Sequence, residues 1–187
     1  TPSMLPPLKL GNSHRSPNRL DLANWLVSRE NPLTARVGVN LLWQMTFGTG
    51  LVKTPEDFGN QADVPVHLDL LSWLAADFHA DWNVKRVIKQ MVMSATYQQS
   101  SAISEAQFER DPENDLLAQG TSHRLSAEML RDSVLLQSGL LVESMGGAPV
   151  KPYDLSLAFS PLAHDKGSAL YRRSLYTFWQ RTSSPPT

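Results

Sequence analysis

The sequence contains no cysteine, so no disulfide, thiolate nucleophile or thiol metal ligand can form within it, and no Cys-x-x-Cys-His haem attachment is present. Charge is also scarce. Asp, Glu, Lys and Arg make up 19% of the chain, against about 25% in a typical globular domain, so some polar-neutral or apolar surface is expected to face other protein. Neither sign dominates: 17 Lys and Arg stand against 18 Asp and Glu, a net charge of -1 that offers no bulk attraction to nucleic acid or an anionic membrane. No run approaches the roughly 20 apolar residues of a membrane span, which excludes membrane insertion by this segment, and the amino terminus does not read as a signal peptide. Absent too are a phosphate-binding glycine loop, a nucleophile elbow, a zinc-protease helix motif and a calcium loop.

What is present is 187 residues at 41% apolar composition, enough for one substantial hydrophobic core. The reading is mainly α: an irregular multi-helix domain with long structured loops and one C-terminal β-strand. Residues 1–16, proline-rich through Leu5-Pro6-Pro7-Leu8, read as an extended lead-in, and residues 180–187 as a linker or cut end. Ser16-Pro17 supplies a cap and first-turn residue for a helix over residues 17–28. Asn31-Pro32 repeats the signal for a second helix that ends at Gly48, with Leu33, Val37, Asn40, Leu41, Trp43, Gln44 and Phe47 mostly along one broad face, where Arg36 and Asn40 are polar groups that need partners. Gly48, Gly50, Pro55, Gly59 and Pro65 make residues 48–65 a loop. A third helix is expected near residues 66–79. Asn83 caps a fourth with Val84, Val87, Ile88, Met91 and Val92 inside, continuing to about Tyr97.

Residues 98–110 read as a polar connector, followed by Asp111-Pro112 as the cap of a short turn containing Leu116 and Leu117. Ala127, Leu130, Val134 and Leu135 mark a fifth main helix ending near Gly139. The aromatic-rich stretch from Leu170 to Trp179 reads as a strand, and a strand with no partner in view leaves its backbone groups unpaired.

These blocks resemble one family. Asn18-Arg19-Leu20, Asn31-Pro32-Leu33-Thr34-Ala35-Arg36-Val37, Asn40, Trp43-Gln44, Asp57-Phe58-Gly59, His67 and Ser94-Ala95-Thr96-Tyr97-Gln98 are similar to the planctomycete PSD domain, domain of unknown function 1553. Asp111-Pro112-Glu113-Asn114, Ala127-Glu128, Arg131-Asp132, Met145-Gly146-Gly147 and Tyr171-Arg172-Arg173-Ser174-Leu175-Tyr176 extend the resemblance over most of the chain. It implies a single PSD-like domain fragment, truncated at its C-terminal end, from a secreted or periplasmic protein in which a cytochrome c module often lies nearer the amino terminus. It also implies other domains of the same parent as partners, and polysaccharide as a suspected ligand. A haem would belong to a neighbouring domain, not to this segment. Leu41, Leu42, Met45 and Thr46 depart from a more basic, histidine-bearing stretch common in the family.

Candidate chemistry is thinly signalled. His14, His67, His79, His123 and His164 show no metal-helix spacing with one another, so no metal is expected short of tertiary convergence with Asp or Glu. His67 stands out at a helix entrance, where a structural hydrogen bond is the plainer role. Glu128 and Asp132 share a helix face, and with Asp57 and His67 they are the candidates for acid-base chemistry on a glycoside. Their plainer role is to pair with arginines in a structural polar network of Arg19, Arg36, Asn40, Arg124 and Arg131. Tyr171, Arg172, Arg173, Tyr176 and Trp179 form a candidate sugar or anion contact. The leading expectation is an accessory or structural domain; a carbohydrate-active hydrolase and a carbohydrate-binding module are the alternatives.

Overall fold

A computed structural model describes residues 5–8, 15–59, 64–153 and 164–179. The linker reading of residues 180–187, much of the lead-in, and His14 lie outside the described residues. The chain divides into two compact units, Thr1–His123 and Arg124–Thr187. Among the described residues there are six α-helices: α1 (Arg19–Leu26), α2 (Thr34–Phe47), α3 (Leu68–Asp81), α4 (Val84–Val92), α5 (Glu105–Arg110) and α6 (Ala127–Gln137). The protein is mainly α-helical.

Local sequence explains where each helix starts. Asn18, rather than Ser16, caps α1: its side chain accepts from the Leu20 and Asp21 amides while the Asp21 carboxylate accepts from the Asn18 amide. Arg15 closes this box from outside at 2.5 Å, and its hydrogen bond, with that of the Asn18 amide, holds Asp21 down to about 2. Asn31 serves α2 from just outside the helix, its Oδ1 accepting from the Leu33 and Thr34 amides. Gly48, at φ 85°, ends α2 in a conformation that a side chain rarely adopts. Asn83 accepts from the Arg86 amide to start α4.

The core of the first unit forms where α2, α3 and α4 meet. Val39, Trp43 and Phe47 from α2 pack with Leu71, Leu74 and Phe78 from α3, Val87 and Met91 from α4, and Val52 from the following loop. Trp43 and Phe47 stack at 4.1 Å between centroids, and Tyr97 meets Phe47 edge-on at 5.7 Å. At the far end of α3, Arg86 reaches back from α4 to Asp77 and Asp81 at 2.5 and 2.7 Å.

Two expectations are corrected within this unit. The fourth helix stops at Val92, with turns and not helix through Tyr97, because the Ser94 hydroxyl takes the Met91 carbonyl and the Tyr97 amide donates to that hydroxyl. The connector at residues 98–110 contains α5, whose Ser104 and Gln107 form a reciprocal capping box.

The second unit differs in construction. Among its described residues the α-helix is α6, which buries no residue, and the buried hydrophobic side chain is Val150. The strand expected from Leu170 to Trp179 is not formed. In its place lie two short 3-10 turns, Gly167–Tyr171 and Ser174–Tyr176, and two isolated parallel bridges, Val142 with Arg172 and Val150 with Thr177. The backbone partners thought to be missing are therefore within the chain: Val142 donates to Tyr171 at 2.9 Å, and Phe178 donates to Val150 at 2.7 Å.

Candidate functional site

The candidate site lies in the first unit, between the loop that follows α2 and the loop that follows α5. The first of these is set by Asn40. Fully buried on α2, it donates through Nδ2 to the Val52 carbonyl at 3.0 Å and accepts at Oδ1 from the Val52 amide at 2.8 Å. Gly50 passes so close that an added Cβ would lie 2.7 Å from Asn40 Nδ2, so the loop can turn only over a residue with no side chain. Lys53 leaves this turn pointing toward the second loop.

Asp111 and Asn114 build that second loop from its own sequence. The Asp111 carboxylate accepts from the Asp115 and Leu116 amides at 2.8 and 2.9 Å. Asn114, in the left-handed region at φ 55°, accepts from the Gln119 amide at 3.2 Å and donates to the Gln119 carbonyl at 3.0 Å. The turn is thereby fixed, with exposed Glu113 and half-buried Asp115 beside Lys53. The Lys53 ammonium bonds to Glu113 and lies 2.9 Å from the Asp115 carboxylate. These hydrogen bonds, Glu113 first and Asp115 second, raise the Lys53 pKa well above the ordinary lysine value. His67, at the entrance of α3, donates through Nε2 to the Asp115 carbonyl at 2.9 Å and ties a third segment to the same place.

Two adjoining cavities, of about 400 and 380 Å³, line up along this seam and share Phe47, Thr49, Glu113, Asn114 and Thr121 as walls. The first holds Trp43, Lys53, His67 and Asp115; the second holds Phe108, Gln119, Ser122 and His123. Among the described residues no group of three or more His, Asp or Glu is placed to hold a metal ion.

His67 is the candidate from the sequence that lies in the groove. Asp57, also in the first unit, accepts from the Gly59 amide at 2.7 Å while its carbonyl takes the Thr54 hydroxyl, so it shapes its own loop. Arg36 donates to the Pro32 carbonyl and the Ser72 hydroxyl. Arg19 is exposed on α1.

Glu128 and Asp132 belong to the second unit, and their environments differ. Glu128 is exposed on the first turn of α6; Asp132 accepts from the Ser174 amide at 2.7 Å. Arg124 is exposed. Arg131 donates to the Leu170 and Arg172 carbonyls and the Ser174 hydroxyl. Arg172 is buried, donates to the carbonyls of Ser144, Gly146 and Ala148, and lies over the Tyr176 ring at 4.0 Å. Tyr176 in turn accepts from the Gly146 amide. Arg173 is exposed beside Glu143, Tyr171 is half-buried and Trp179 is exposed. Arg172 and Tyr176 are thus occupied within the unit, while Trp179 remains open to a partner.

Lys53, Glu113, Asp115 and Gln119 were not singled out from the sequence. Glu113 stood inside the Asp111-Pro112-Glu113-Asn114 block, but its partner Lys53 lies 60 residues away, a separation that spacing rules cannot bridge.

A family model described as "PSD1: Protein of unknown function (DUF1553)" matches residues 18–187. No curated protein and no solved structure matches the chain.

Proposed function

The chain belongs to the PSD1 family of proteins of unknown function, DUF1553, and on that premise we propose that it is an accessory, ligand-recognising domain of a larger extracytoplasmic protein. One observation carries the reading: four polar side chains in its family-matching blocks, Asn40, Arg131, Asp132 and Arg172, are committed almost entirely to backbone groups. Asn40 holds Val52, Arg131 and Arg172 hold six acceptors between them, and Asp132 holds Ser174. Such forks tie loops in place, which is the work of a scaffold. Export, and association with a cytochrome c module and other domains of the same parent, come from the family resemblance; the groove around Lys53 and Asn114 supplies the surface for recognition.

A hydrolase is the second reading, favoured by Glu113 and Asp115 lying in one groove beside His67. Two carboxyls in an open cleft are the minimum for glycoside hydrolysis, but here both bind the same ammonium. Reducing-end release from a panel of plant and algal polysaccharides by the purified chain is expected to stay at the buffer level, while affinity electrophoresis in the same polysaccharides shows retardation. Release that is abolished in Glu113→Gln would move the assignment to the hydrolase.

A further inference from the structure

We propose that a third cavity of the first unit, between the start of α2, the start of α3 and the loop that joins them, is a site for an apolar monocarboxylate, a small acid with an aliphatic or aromatic body. The cavity measures about 380 Å³, and its walls are apolar, with Leu33, Phe58, Val64, Leu68 and Leu71 among them. Arg36 is the charged residue among its described walls. The site goes beyond the recognition reading given above and does not rest on it.

The Arg36 guanidinium is left short of partners. Its Nη1 donates to the Pro32 carbonyl at 3.3 Å and its Nη2 to the Ser72 hydroxyl at 3.2 Å, long bonds to neutral acceptors. Nε is sealed from solvent without a partner and takes no part in the site. One N–H therefore remains on each Nη nitrogen, the pair that meets a carboxylate through two parallel bonds. No ion pair formed among the described residues includes Arg36, although a half-buried cation is ordinarily paired. Its position agrees with a ligand in the cavity. Pro32 adjoins Leu33, Ser72 follows Leu68 by one helical turn, and both leucines are walls, which puts the guanidinium at the cavity's edge.

The walls select the rest of the ligand. Val64 is 83% exposed and Leu68 is exposed as well, so two of them offer apolar surface to an incoming chain or ring. No carboxylate stands among the described walls to compete for the guanidinium. A saccharide would find one polar side chain there for its many hydroxyls, and a peptide carboxy terminus would bring amide groups that apolar walls cannot meet. A small apolar body with a single carboxylate suits both the walls and the fork.

Isothermal titration of the purified chain with octanoate and 3-phenylpropanoate, against 3-phenylpropan-1-ol and 3-phenylpropylammonium as the neutral and cationic counterparts, tests the site. At least one acid is expected to bind at millimolar concentration. The alcohol should bind roughly tenfold or more weakly than its acid, for want of the charge-assisted bonds, and the ammonium should not bind. Arg36→Gln should weaken the acid by roughly tenfold as well. Because Arg36 also holds Pro32 and Ser72, Val64→Asp serves as a second variant. It places a carboxylate beside the cavity from an exposed position, so it is expected to keep the parent Tm and to weaken the acid.

Absence of binding by both acids at millimolar concentration, an alcohol that binds as tightly as its acid, or affinity unchanged in Arg36→Gln or in Val64→Asp would each overturn the site. Asp63 precedes Val64 in the sequence, so Asp63→Asn is titrated beside them. Acid binding confined to that variant would mean that the chain answers its own guanidinium, and would overturn the site too; binding by the parent chain that Asp63→Asn leaves in place supports it.

Discussion

At the scale of single residues, the groove depends on one buried amide. Asn40 has no exposed surface, and both of its hydrogen bonds end on the backbone of Val52. Asn40→Leu would leave a buried N–H and a buried C=O unsatisfied at once. Each costs about 1 to 3 kcal/mol, so chemical denaturation is expected to show a loss of about 2 to 6 kcal/mol. An unchanged denaturation midpoint would mean that the loop finds other partners and that Asn40 does not position Lys53. The sequence already marked Asn40 as a polar residue on an apolar face, and it marked His67 at a helix entrance. It did not mark Gln119 or Lys53, because their significance comes from a turn closed by Asn114 and a contact between distant loops. Neither leaves a periodicity.

At the scale of elements, the pairing of α3 with α4 carries a charge clamp whose titration can be followed. Arg86 donates to Asp81 at 2.7 and 2.9 Å, and this bond, ahead of the Asn83 amide, lowers the Asp81 pKa to about 2. An unfolded aspartate titrates near 3.9. Because the folded value is the lower one, the clamp's contribution is present above about pH 4 and is lost as the pH falls toward 2. In Arg86→Gln the Asp81 carboxyl titration, followed by NMR, is expected to move up toward the ordinary range; a midpoint still near 2 would assign the shift to Asn83 alone.

The helices around this clamp were legible for physical reasons that the C-terminal stretch lacks. Asn83 is a side-chain cap followed by apolar residues at helical spacing, so local chemistry and burial agree for α4. From Leu170 to Trp179 the aromatic composition favours a strand, but Arg131 and Asp132 on α6 take up its backbone in 3-10 turns. Tertiary hydrogen bonds from a distant helix override the propensity. The opposite error occurred at α5, where the Ser104 and Gln107 capping box was present in the sequence but no buried face accompanied it.

At the scale of the whole molecule, apolar burial is unevenly shared. Among the described residues, eleven of the twelve buried hydrophobic side chains fall in the first unit, with Val150 the exception. The second unit relies instead on buried Arg172, Ser174 and Thr177 and on forks into carbonyl groups. Segments with few buried apolar contacts open at lower free energy than a packed core. Amide hydrogen exchange is therefore expected to give protection in α6 and the 3-10 turns that is roughly tenfold or more below that of α2 and α4. Arg172→Lys should lower it further, because an ammonium on a flexible stem cannot reproduce a planar fork that meets three carbonyls. Protection in α2 and α4 serves as the internal reference for that variant. Equal protection across both units in the parent chain would overturn that ordering and show that the arginine forks stabilise as effectively as an apolar core, whereas unchanged protection in Arg172→Lys would show that they contribute little and would remove the structural role on which the accessory reading rests.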